Sequence, residues 1–258
     1  MGLDAFVYCR CWQDGLTTPC PVEPVGIDED GCLALLRQWE GNEAAHRTFD
    51  AWLAEACPHK AMEQASEHVS NWAGVRLFQQ ALRAAGPERF PTLATALPNL
   101  NGGSLPADRA AVALAELDAV ARTDRITDGV ELIDEATGRV LMQYVESYHG
   151  VFMLGPDFRA GVDPDGFFVV DTADPPVTLF RAVRFGQRPL PGDRVELTAG
   201  GTRTVLAMRP VGEHGEPPPE RLAVRTRSRS GNDFAYIVEP LRRLCAASVA
   251  TGNPVMWF

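Results

Sequence analysis

The chain has 258 residues, 45% of them hydrophobic and 22% charged, with a formal net charge of -10. That length can bury a core without disulfide staples, and the acidic balance opposes nucleic acid or an anionic membrane as main partner, since either repels it at long range. No apolar run is long enough to span a bilayer and no basic-then-apolar leader opens the sequence, so the expectation is a cytoplasmic protein.

The acid excess is uneven: 18 acidic against 10 basic residues up to position 130, and 16 against 14 from position 131 onward. Lys60 is the only lysine, a bias that fits an arginine-rich bacterial composition. Six cysteines spread over this length, without an export signal, point to reduced thiols: small buried hydrophobes, metal ligands or nucleophiles.

In chain order, Phe6 to Trp12 is apolar and β-favouring, predicting an interior strand with Val7, Cys9 and Cys11 on one face. A proline-rich connection follows. Asn42 is placed to cap a helix over 43–56 that Pro58 stops, and a second helix is predicted over 62–85, ended by Gly86-Pro87. A short helix near 87–95 and a third over 106–121, with Ser104 as its cap, complete a helical block.

From residue 129 the pattern alternates. A hairpin with arms 130–133 and 140–145 leads into strands at 150–154, 166–171, 178–185, 193–198, 202–208 and 222–228. A last helix over 234–250 precedes the apolar tail Pro254 to Phe258, which is predicted to return as a strand near Phe6. The fold class is therefore α+β: a helical block in the first half, an antiparallel strand-rich second half, and terminal strands joining the two. The division falls at 1–128 and 129–258, with the C-terminal helix in the second part, or the whole forms one interlocked domain.

The chemistry concentrates in Cys9-Arg10-Cys11 and Cys57-Pro58-His59, two pairs of soft ligands. Tetrahedral zinc needs sulfurs about 3.8 Å apart, whereas alternate strand residues are separated by about 6.6 Å, so Cys9 and Cys11 chelate only if the strand bends. Cys57 and His59 lie past a helix end, where the dipole suits a cation and a proline turn lets ligands converge. Three readings stand. These residues pack as core, or they hold zinc with His68, Cys20 or His46 available to complete the set, or Cys57 is a nucleophile with His59 as base. A helix C-terminus raises a thiol pKa and weighs against the last.

Arg225, Arg227 and Arg229 alternate with Thr226, Ser228 and Ser230, so a strand puts three guanidinium groups on one face. That face is a candidate anion site or a charged edge neutralised by acids elsewhere. Phosphate-loop, dinucleotide, Gly-X-Ser-X-Gly and His-Glu-X-X-His signatures are absent.

The opening Met1-Gly2-Leu3-Asp4-Ala5-Phe6-Val7-Tyr8-Cys9-Arg10-Cys11, with Cys57-Pro58-His59 and His68-Val69-Ser70-Asn71, resembles a family of uncharacterised bacterial proteins. The resemblance covers about the first third and groups Cys9, Cys11, Cys57, His59 and His68 as a set; it implies no activity. The functional expectation is a zinc protein with a structural site. The alternatives are a metal-dependent enzyme with an open site and a metal-free interaction protein of a bacterial competition or defence system, with a protein as partner. Substrate and small-molecule ligand are unassigned.

Overall fold

The computed structural model describes residues 2–28, 31–36, 42–213 and 215–258. The chain begins with β1 (Gly2–Tyr8), β2 (Val25–Ile27), β3 (Leu33–Leu35), α1 (Glu43–Glu55), β4 (Glu63–Asn71), α2 (Trp72–Ala84), α3 (Pro91–Ala96), β5 (Ser104–Leu105) and α4 (Ala107–Ala121). It continues through ten strands, β6 (Thr127–Asp134), β7 (Val140–Gln143), β8 (Val151–Leu154), β9 (Phe158–Asp163), β10 (Gly166–Asp171), β11 (Thr178–Ala182), β12 (Arg184–Leu190), β13 (Arg194–Ala199), β14 (Thr202–Leu206) and β15 (Arg221–Arg229), and closes with α5 (Ala235–Thr251) and β16 (Val255–Trp257). The architecture is mixed α and β, and rich in strands. Among the described residues no helix is long and apolar enough to cross a membrane.

Two compact units emerge, Met1–Ile126 with Ser230–Phe258, and Thr127–Arg229. Helix α5 and strand β16 thus belong to the first unit. Its main sheet has the antiparallel order β4-β1-β16-β5, with the C-terminal tail beside β1 in the register Ala5↔Trp257 and Val7↔Val255. Alternation along β1 sends Leu3, Ala5 and Val7 to zero exposure, while Asp4, Phe6 and Tyr8 stand on the other face, as the period of two requires. Helix α5 packs across β1 and β4 and along α4, where Phe78 of α2 meets Phe234 with ring centroids 5.5 Å apart. An ion pair of 2.7 Å between Arg242 and Asp118 ties α5 to α4.

The helix expected over 62–85 is corrected. Residues 63–71 are strand β4, and α2 starts at Trp72, with the Asn71 side chain accepting from Gly74 N at 2.8 Å. The segment Glu63 to Asn71 carries few apolar side chains, so its period was a weak guide; the open edge of β1 supplies backbone partners that override helix propensity. Ser104 does not cap α4 either, since it pairs with Met256 in β5 and the helix follows Pro106. The strand expected over residues 6–12 stops at Tyr8.

The second unit has the antiparallel sheets β14-β13-β12-β15-β6-β7 and β11-β10-β9-β8. Side chains from both meet in one core that includes Leu132, Val162, Phe167, Phe185, Leu197 and Leu222, with the Phe167 and Phe185 rings stacked at 4.7 Å. The single strand expected over 178–185 is two, β11 and β12, and β9 carried no expectation.

Candidate metal centre

The two Cys-X-ligand pairs meet. Sγ of Cys9 lies 3.7 Å from Sγ of Cys57, Sγ of Cys11 lies 3.5 Å from Nδ1 of His59, and Sγ of Cys57 lies 3.8 Å from the same nitrogen. All four ligand atoms fall within 4.8 Å of one another, so the group could hold a metal ion. A tetrahedral zinc with bonds of about 2.3 Å to sulfur and about 2.05 Å to nitrogen has edges of about 3.8 Å and 3.6 Å, and the three distances match those edges.

Local backbone irregularity makes this convergence. The β1–β4 register shifts between Val7 and Tyr8, where regular pairing ends. Cys9 still donates its N–H to Met62 O at 2.7 Å, and the chain then coils into a turn closed by Asp14 N to Arg10 O at 2.9 Å and Leu16 N to Cys11 O at 2.8 Å. Cys11 is thereby lifted off the strand path that would have separated the two thiols. The end of α5 supports the turn: Asn253 Nδ2 donates to the carbonyls of Tyr8 and Cys9 at 2.9 and 3.1 Å, and Arg10 donates to Thr251 O at 3.1 Å.

The second pair is set by the end of α1. Ala56 is its C-cap, Cys57 follows immediately, and Thr18 N donates to Ala56 O at 3.0 Å to satisfy a terminal carbonyl. Beyond Pro58 the chain reverses through Lys60–Met62, where Ala61 and Met62 both have positive φ, 52° and 57°. That reversal turns His59 back toward the sulfurs and delivers Met62 to Cys9. A small apolar cluster of Leu33, Phe49, Trp52, Ala56 and Met62 backs the site.

Burial pushes the Cys9 thiol up to about 12, with the neighbouring Cys11 and Cys57 sulfurs adding to the rise. A divalent cation among the sulfurs inverts this, since coordination deprotonates a thiol outright. The nucleophile reading of Cys57 gains nothing here: its sulfur sits at a helix C-terminus among two other thiols.

The remaining residues of the expected set lie elsewhere. His68 pairs across the β1–β4 ladder with Asp4, Nδ1 to Oδ1 at 2.7 Å, on the exposed face of the sheet. His46 is exposed on α1, and Cys20 packs at the margin of the apolar cluster without joining the four ligands. Arg225, Arg227 and Arg229 do share one face of β15, but they converge on Glu131 of β6, a carboxylate with zero exposure. Arg225 reaches it at 3.0 Å, Arg227 at 3.0 Å and Arg229 at 3.6 Å, so all three guanidinium groups are turned onto one internal carboxylate. Gly129 makes room for this, since a Cβ there would collide with the Arg229 guanidinium.

No family model, no curated protein and no solved structure matches the chain.

Proposed function

We propose that this is a zinc protein in which Cys9, Cys11, Cys57 and His59 form a closed, structural metal site. The observation that carries the reading is the approach of three sulfurs and one imidazole nitrogen, from segments 48 residues apart, to within 4.8 Å of one another, with the Cys9–Cys57, Cys11–His59 and Cys57–His59 distances at the edge lengths of a zinc tetrahedron. Three thiolates and one imidazole are a soft donor set that selects zinc over magnesium or calcium, and four protein donors fill the coordination shell. The metal's task is to tie the turn after β1 to the end of α1, beside a small apolar cluster.

An open, catalytic site is the weaker reading. It needs a vacant position for water, and the two further histidines it would draw on, His46 and His68, are directed elsewhere. Metal analysis of protein purified without a histidine tag tests the proposal: one equivalent of zinc, removable by chelation with loss of thermal stability, is expected. Substantially less than one equivalent of any metal in reduced, folded protein would sink it.

A further inference from the structure

Beside the metal-bearing turn lies a cavity of about 420 Å³ whose walls include Trp12, Trp52, Pro19, Pro24 and Glu23. Its size suits a small ligand. Among the described residues that line it, Glu23 is the only charged one, and no arginine or lysine enters. Among the described residues, the arginine cation–π contacts fall on Trp72, Phe90 and Phe168, and none falls on either lining indole.

Trp52 belongs to the small apolar cluster and Trp12 packs against it. Trp52 is 7% exposed and its Nε1 donates to Thr18 O at 2.8 Å. Trp12 sits in the turn closed by Gly15 N to Trp12 O at 3.2 Å and Leu16 N to Cys11 O at 2.8 Å. Aromatic walls with one carboxylate are poor company for magnesium or calcium, which demand six or more oxygens, or an octahedron of waters. They favour a cation that sheds water cheaply and is attracted to an indole face.

We propose that this cavity binds a weakly hydrated organic cation, a quaternary ammonium or guanidinium group, with the indoles supplying the apolar wall and Glu23 the counter-charge. The site is distinct from the four metal ligands and does not depend on the identity of the metal.

The test is titration of the metal-loaded, full-length protein, followed by tryptophan fluorescence and calorimetry, with choline, methylguanidinium and the neutral choline isostere 3,3-dimethylbutan-1-ol. Binding of choline or methylguanidinium at least about tenfold tighter than the isostere is expected, and the tighter of the two cations identifies the group recognised. Glu23→Gln and Trp12→Leu should each weaken that cation about five- to tenfold, with metal stoichiometry and circular dichroism unchanged. Equal binding of the isostere, no binding of either cation at millimolar concentration, or full affinity in Glu23→Gln and Trp12→Leu proteins that retain their metal overturns the proposal. Metal content measured on each sample separates failure here from failure of the zinc reading.

Discussion

Cys9 and Cys57 bring their sulfurs to 3.7 Å although 48 residues separate them in the chain. The contact closes a loop that contains the whole proline-rich connection and α1. Whatever stabilises it stabilises the corner where the turn after β1, the end of α1 and the end of α5 come together.

Ligand substitutions follow directly. Cys11→Ser, Cys57→Ser and His59→Ala should each weaken zinc binding by more than the roughly 10–100-fold that an outer-shell partner contributes, measured by competition with a chromophoric chelator. His68→Ala, which removes the partner of Asp4, should leave one equivalent bound. A loss of metal in His68→Ala equal to that in His59→Ala would contradict the assigned ligand set.

Metal uptake should release protons. Burial above all, with the Cys11 and Cys57 sulfurs adding to it against a lowering backbone N–H of Cys11, holds the Cys9 thiol up to about 12, so zinc must displace its proton at neutral pH. Affinity therefore falls as pH falls, by tenfold or more per pH unit if at least one proton leaves per zinc. Calorimetry in buffers of different ionisation enthalpy counts those protons, and a count of zero would be incompatible with thiolate ligation.

Cys245 offers a separate pH signature. It lies on α5 at 1% exposure, and burial alone pushes its thiol up to about 12 from an ordinary value near 9.0. A folded-state value above the unfolded one means its contribution is fully present below about pH 9 and is lost as pH rises toward 12. Between pH 8 and pH 10 this one group should cost about 1 kcal/mol of stability. Urea unfolding should show a shallower alkaline decline for Cys245→Ala than for the parent.

The Glu131 cluster should be intolerant of neutralisation. Glu131→Gln leaves Arg225, Arg227 and Arg229 facing one another without their shared carboxylate, and a loss of about 3 kcal/mol or more is expected from breaking a buried ion pair. Arg225→Ala, at a partly exposed position, should cost distinctly less. Comparable losses for the two variants would argue that the carboxylate is not the centre of the cluster.

Ala61→Gly probes the reversal that presents His59. Ala61 holds φ at 52°, a left-handed conformation that costs an L-residue about 1–2 kcal/mol and glycine almost nothing. The substitution should be neutral to stabilising by up to about 1 kcal/mol in thermal unfolding, with zinc affinity retained.

The chain by itself determined a good deal. Apolar spacing and punctuation identify α1, α4 and α5, and the alternation after residue 129 identifies most strands of the second unit, because burial of one face imposes its period on the sequence. The residue types of the candidate metal site are also legible, as are the proline and helix end that free Cys57 and His59 to converge. What the chain left open depends on partners distant in sequence. Glu63 to Asn71 is a strand because β1 lies beside it, a fact its own composition does not carry. Cys9 and Cys11 meet in the candidate metal site because a register shift at Tyr8, the Arg10 to Asp14 turn and the grip of Asn253 pull Cys11 off the strand. His68, equal to the others as a ligand by type, is excluded because the antiparallel register sets it opposite Asp4. Ligand chemistry is a property of side chains and can be read locally; coordination is a property of distances a few ångströms long, and those are decided by backbone hydrogen bonds that only the tertiary structure brings into being.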